Sequence, residues 1–457
     1  DEEAVKVTVA LYRDFPIVST PEHRYLAVRT RPCPRRGNRT GSYCIPGKSH
    51  VWCASCKYKY YENYTLEWVR ADQLKPGDYL AIPFPKLSED LRVLALPQLE
   101  PYWNGRGFTT GRRQAVPSSV VVTPDLFRLF GYYLAEGHIN NERTIVFSFC
   151  ADEMEFCRDV ADIVKRLFGL EAKIKLVPEK HTANVYISNS TLAKWFAGLL
   201  GKGARGKRID ATLLRAPVPC LEQLLVGFIR GDGSHKGYKT TVRITTISPT
   251  LAHQIAYLLL AVGYVPSLSV DRKVTSRKPN PTYIVTVNGN HGNRLRALVG
   301  WPVHQEAQPN HWYWEDSEFV YIKVVNVERV HYSGRIFDLK VENNFSFVSV
   351  GATLHNTHYY DRPYLLTGDI PELVEFPLIG PLLTFVSRLI KPQLRMHPEM
   401  WQLIESGIIP QDEGAKEVYV SPEELERGRP APPSRYLAGE PRYPTPLIMP
   451  PPPPEPE

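Results

Sequence analysis

The chain has 457 residues, room for two to four domains, and its 43% hydrophobic and 23% charged residues exclude a wholly disordered or fibrous protein. A net charge of +7 permits nucleic-acid binding without requiring it. No run approaches the roughly 18 apolar residues that span a bilayer, and "FPLIGPLLTFV" from position 376 is short and broken by prolines, so no membrane partner and an intracellular, cytoplasmic location are expected.

Residues 1–95 read as short strands. "VKVTVALY", "RYLAVR", "LEWVRA" and "DYLAIP" are β-branched or aromatic runs separated by turn signals such as "KPGD". Within this piece Cys33, Cys44, Cys53 and Cys56 are spaced C-x10-C-x8-C-x2-C, with Arg and Lys between them. Four thiolates, two of them in a CxxC, suit a tetrahedral Zn²⁺ site on a ribbon-like insert over 33–56; the alternative is four reduced, buried or solvated cysteines. The odd total of seven cysteines argues against a disulfide framework. Cys150, Cys157 and Cys220 read as core or surface residues.

Residues 96–122 form a polar connector. Residues 123–305 mix helical and strand periods, and 315–356 return to strands: "EFVYIKVVNVERV", "GRIFDLKV", "FSFVSV". Residues 357–457 differ in character, with twelve prolines in the last 28, and that tail is expected to be extended and disordered.

The middle piece contains a repeat. "LFGYYLAEG" (129–137) and "LVGFIRGDG" (225–233) share L-x-G-x-x-x-x-acid-G, and each is followed by a strand-like run and a helical stretch that ends before Gly. The offset is 96 residues at the acids. Thr123-Pro124-Asp125 predicts a capped helix start. Apolar residues at 126, 129, 130, 133 and 134, and at 221, 224, 225, 228 and 229, form helical stripes. Each stripe carries small residues four apart, Gly131/Ala135 and Gly227/Gly231. A glycine inside a helix costs roughly 1 kcal/mol, so a close helix–helix approach is expected there. Side-by-side packing would bring Glu136 and Asp232 together, and adjacent carboxylates favour a divalent cation such as Mg²⁺ that could act on a phosphodiester.

These motifs resemble the LAGLIDADG homing endonucleases in their single-chain, two-motif form. The resemblance covers about 123–300, including "KRIDATLLRAPVPCLEQLLVGFIRGDGSHKG". It implies two sheets saddling double-stranded DNA, Glu136 and Asp232 as metal-binding acids, and a lysine on each side near the metals. Lys273 and Lys180 occupy comparable places for that role, with phosphate-contacting surface lysines as the alternative.

The last strand ends in His355-Asn356-Thr357. An Asn amide can attack its own carbonyl, a neighbouring His can assist, and a following hydroxyl can accept an acyl group. "YSGRIFDLKVENNFSFVSVGATLHNT" resembles the C-terminal end of an intein. "STPEHRYLAV" followed by "LEWVRADQLKPGDYLAIP" resembles the intein element that activates the upstream scissile peptide. The resemblance implies that Asn356 cyclises with help from His355, that Asp338 coordinates the steps, and that Thr20 and His23 act at the upstream junction. Thr357 would accept the acyl group and begin the C-extein of a host protein. An upstream segment bearing the first nucleophile is implied, either missing here or supplied as a separate piece.

The expected fold is therefore mixed: an all-β Hint-like splicing domain in two sequence halves, with an inserted pseudo-symmetric α/β LAGLIDADG endonuclease. Two alternatives stay open. One is a free-standing homing endonuclease with a degenerate splicing domain, and the other is a non-catalytic DNA-binding protein.

Overall fold

Val5, Val7 and Val9 are buried while Lys6 and Thr8 are half-buried, the period-two pattern of a strand with one face inward, and in the computed structural model Glu2–Val9 is such a strand. The structure describes residues 2–32, 43–44, 64–97, 102–103, 108–109, 116–235, 240–273, 279–304, 312–334, 339, 341 and 346–355. They belong to two compact units, one of residues 1–83 with 310–457, the other of 84–309.

Among its described residues the first unit is all-β, apart from single 3-10 turns at Ala10–Tyr12 and Ala71–Gln73. Its main sheet runs in the order Ile17–Ser19, Glu2–Val9, Phe319–Tyr332, Tyr79–Pro83, Arg24–Val28, Ala352–His355, Ser346–Ser349. Phe319–Tyr332 is long enough to serve three partners, the short strand Tyr313–Glu315 among them. Its first residues pair with Tyr79–Pro83 and the remainder with Glu2–Val9, so the two sequence-distant β pieces form one sheet. Cross-strand charges fit this register: Lys6 lies opposite Glu328 with Nζ 3.3 Å from its carboxylate. Leu26, Val28, Trp68, Tyr79, Ala81, Trp314, Phe319 and Tyr321 make the core, where Trp314 stacks on Tyr321 at 3.7 Å between ring centroids. Each fully buried side chain of this size contributes roughly 1.5–3 kcal/mol of apolar burial.

The second unit holds the repeat. Its first half runs helix Pro124–Glu136, strands Gly137–Asn140 and Thr144–Cys150, helix Met154–Phe168, strands Lys173–Val177 and Thr182–Ser188, helix Ser190–Leu200. The second half runs Val218–Asp232, Gly233–Ser234, Val242–Thr246, Pro249–Ala261, Pro266–Asp271, Thr282–Val287 and Gly289–Val299. Each half folds its strands into a four-stranded antiparallel sheet in which the last strand of the half sits between the second and third. The predicted helix start is present: Thr123 Oγ1 accepts from the Leu126 N–H at 3.3 Å, and Pro124 follows. No helix among the described residues is long and apolar enough to cross a membrane.

The structure divides the chain earlier than the sequence suggests. Residues 84–95, grouped above with the first β piece, belong to the α/β unit. The Leu91 N–H donates to Arg215 O at 3.0 Å, Asp90 pairs with the Arg215 side chain, and Val93–Ala95 pairs with Ser119–Val121. A three-residue β run does not encode its partner. Here that partner lies at the far end of the connector, so the connector's two ends are zipped onto the α/β unit.

Cys33, Cys53 and Cys56 lie outside the described residues, and only the backbone of Cys44 is described, paired with Arg31. The expected zinc ribbon therefore falls outside them. So do Asp338, Asn356, Thr357 and the proline-rich tail.

Candidate functional site

The helices Pro124–Glu136 and Val218–Asp232 cross through their glycines. A Cβ on Gly131 would stand 2.1 Å from Leu224 O, and one on Gly227 would stand 2.2 Å from Arg128 O. Backbone meets backbone at both points, so no residue with a side chain fits, and this contact offsets the helix-propensity cost of glycine. Around the crossing Phe127, Phe130, Tyr133, Leu225, Phe228 and Ile229 are fully or almost fully buried. One turn further on, Gly231 faces Ala135 and Glu136. Its Cβ would lie 2.5 Å from Ala135 Cβ and 3.0 Å from Glu136 Cγ. The side chain of Glu136 thus passes over the end of the second helix, where Asp232 stands.

Glu136 is pushed up to about 7 by burial first and then by the charge of Asp232, with Lys207 opposing. Asp232 is pushed up to about 6 by burial, again with Lys207 opposing. Lys207 is 8% exposed, and its Nζ donates to Ala135 O at 2.7 Å. Burial holds its ammonium below the usual lysine range, while Asp232 and Glu136 favour the charged form. The segment that carries it is clamped by the second half. Ser248 Oγ donates to Lys207 O at 2.7 Å, and Gln254 exchanges bonds of 2.7 and 2.6 Å with the backbone of Ile209. A cleft of about 460 Å³ opens beside these groups, lined by Lys207, Asp232, Arg243, Thr245, Asp271 and Thr282 among others.

The donor set suits a hard divalent cation. Two carboxylates share a confined site, one lysine balances only one of them, and both ionise reluctantly without further positive charge. Glu136 and Asp232 would hold such an ion. Lys180 and Lys273 instead lie exposed in the equivalent hairpin of each half, Lys180 at its turn and Lys273 just past the strand Pro266–Asp271. The lysine acting on both carboxylates is Lys207. It lies between the repeats, where periodicity carries no signal. The hint available was a lysine set among the glycines of "GKGARGK", just ahead of the buried Ile209.

In the β unit, Thr20 and His23 close a turn. The His23 N–H donates to Thr20 O at 3.1 Å, and His23 O accepts from the Ala71 N–H at 2.8 Å. His355 is buried at the end of its strand, opposite Ser346, with its ring 4.9 Å from Trp68. The His23 ring is held down to about 4 by burial and then by the charge of His355, with Glu22 opposing; Phe347 packs edge-on at 6.4 Å. The sheet therefore brings His23 and His355 close enough to influence each other, although they come from opposite ends of this unit. At neutral pH His23 is uncharged, the form that can accept a proton.

Residues 220–300 match the family model of the LAGLIDADG-like domain, which places that domain on the second half of the α/β unit. An uncharacterized protein of Methanocaldococcus jannaschii is 26% identical over 371 residues, covering 78% of this chain and 44% of that protein. The ATP-dependent DNA helicase Hel308 of Thermococcus kodakarensis is 26% identical over 382 residues, covering 78% of this chain and 32% of the helicase. The chain thus spans less than half the length of these relatives. Among solved structures, variants of the homing endonuclease I-DmoI align with 39% of this chain and 96% of theirs, at 13% identity and a TM-score of 0.31.

Proposed function

We propose that the α/β unit is a Mg²⁺-dependent homing endonuclease that cuts double-stranded DNA at a long asymmetric site. One observation carries this reading. Two helices meeting at Gly131 and Gly227 deliver Glu136 and Asp232 to one place, with the buried Lys207 against them. When bound, Mg²⁺ supplies Lewis-acid polarisation of a phosphodiester and of the attacking water. Glu136 and Asp232, as anions, would hold the ion. Lys207, tethered to Ala135 O, would hold its Nζ where negative charge builds up on a scissile phosphate. The acids protonate readily without a cation, which makes metal binding and proton release one coupled event.

The test uses a DNA carrying the host gene with the insert's coding sequence removed. Mg²⁺-dependent double-strand cleavage is expected, and Asp232→Asn should lower it by at least about 100-fold, the scale of losing a preorganised catalytic charge. Undiminished cutting by Asp232→Asn would remove the metal assignment. Binding without cutting by the parent would leave a DNA-binding protein.

A second reading rests on a different observation, the approach of His23 and His355 within a sheet shared by both ends of the β unit. We infer that this unit is a protein-splicing scaffold. His355 assists cyclisation of Asn356, Thr20 and His23 serve the upstream junction, Asp338 links the steps, and Thr357 begins the C-extein. Intact mass after incubation near neutral pH, beside Asn356→Ala, decides it. Fragments 1–356 and 357–457 in the parent alone support splicing chemistry. An uncleaved chain, together with active nuclease, leaves the endonuclease on a β scaffold that has lost it.

A further inference from the structure

We propose that Cys150, Asp152 and His181 form a binding site for a zinc-class divalent transition-metal ion on the rim of the four-stranded sheet in the first half of the α/β unit. Each offers one ligand atom, and the three atoms lie within 4.8 Å of one another. Thiolate, imidazole and carboxylate together are a donor set for Zn²⁺ or its neighbours in the first transition row, unlike the all-oxygen pair at Glu136 and Asp232.

The backbone already holds the three together. Cys150 is the last residue of its strand and is the register partner of Thr182, the residue after His181. The next N–H, from Ala151, donates to His181 O at 3.0 Å. His181 turns the hairpin between Lys173–Val177 and Thr182–Ser188 with φ +49°, a left-handed conformation uncommon outside glycine, and its N–H donates to Pro178 O at 3.0 Å. The corner after Cys150 is closed by Glu153, whose carboxylate accepts from the Cys150 N–H at 3.0 Å. The side chains of His181 and Asp152 already meet, Nε2 to Oδ2 at 3.1 Å.

Zinc bonds of about 2.0–2.3 Å in a tetrahedron place ligand atoms roughly 3.3–3.6 Å apart. With all three ligand atoms within 4.8 Å of one another, the cluster therefore needs at most about 1.5 Å of closure. Asp152 and His181, with side chains 80% and 66% exposed, are free to make that adjustment from the solvent side. Binding would expel the Cys150 thiol proton to solvent, exchange the His181–Asp152 hydrogen bond for two metal bonds, and leave the fourth position to water. The ion would clip the hairpin tip at Pro178–His181 to the start of the helix Met154–Phe168. This site is independent of the nuclease reading.

Alkylation of the full chain by iodoacetamide, mapped cysteine by cysteine, tests the site. Cys150 is half-buried and open to reagent, while the buried Cys157 and Cys220 serve as internal references. Micromolar Zn²⁺ should slow modification of Cys150 by at least about tenfold, as expected for a thiolate taken into a metal bond, and Mg²⁺ should not. His181→Ala and Asp152→Asn, both at exposed positions, should each remove most of that protection. Equal modification of Cys150 with and without Zn²⁺ overturns the proposal, as does protection that survives both substitutions. Because each cysteine is read separately, metal held by Cys33, Cys44, Cys53 and Cys56 does not affect the outcome.

Discussion

Pro124–Glu136 and Val218–Asp232 end alike: each breaks at a glycine whose N–H returns to the residue four back, Tyr133 O in one and Ile229 O in the other. Each also offers one glycine to the other's backbone at the crossing. The side chains at the tips are not alike. The first half carries Ala135 and Glu136, the second Gly231 and Asp232, and a methyl on Gly231 would stand only 2.5 Å from that of Ala135. There is space for one methyl between the helices, and the first half has it. Lys207 likewise bonds the first helix at Ala135 while its own segment is gripped by Ser248 and Gln254 of the second half. A duplicated backbone has thus been given one shared, asymmetric set of charges. The scaffold repeats because close packing demands it, and the electrostatics need not.

The largest effect should come from breaking the part that is symmetric. Gly227→Val forces a branched side chain into Arg128 O, so the helices must separate. The unit should lose about 3 kcal/mol or more, at the upper end of overpacking costs, and cutting should be lost with it. Gly131→Val should behave the same way, measured by denaturant unfolding. Independence of the two positions would contradict a shared crossing.

Next comes the acid pair. A carboxyl raised in the folded state binds protons there more tightly than in the unfolded chain, so the stability it contributes is greatest below its unfolded value. That stability is lost as pH rises through about 6 for Asp232 and about 7 for Glu136. In EDTA, hydrogen exchange of the two motif helices, corrected for intrinsic pH dependence, should show protection falling between pH 5 and 8 by on the order of 2 kcal/mol. Mg²⁺ should restore it. Because Lys207 lowers both acids, Lys207→Met should move the loss to higher pH, and an unmoved profile would detach Lys207 from the pair.

The smallest effect tests the asymmetry itself. Gly231→Ala should cost about 1–2 kcal/mol through the clash with Ala135. Adding Ala135→Gly should recover most of that despite a second helical glycine, giving a clear coupling in the double-mutant cycle. Additive losses would mean that the two residues do not compete for the same space.

Much of this was legible beforehand because it is local or periodic. The stripes at 126–134 and 221–229 set the helix faces, Thr123 set a helix start, and paired small residues required a close crossing. The β character of the pieces around the insert was equally legible from runs such as "VKVTV". The shared sheet was not, since register partners such as Val5 and Arg329 lie far apart in the chain and alternation does not name a partner. Residues 84–95 were grouped with the wrong neighbour for that reason.

The sequence by itself determined the two helices, their glycine faces and the acids at their tips, since helical period and the size of glycine act over a few residues. Tertiary structure alone decided which cation serves those acids, that His23 lies near His355, and that Cys150 meets His181 across a strand pair. Each of these depends on burial and on long-range register, and no short stretch of sequence records either.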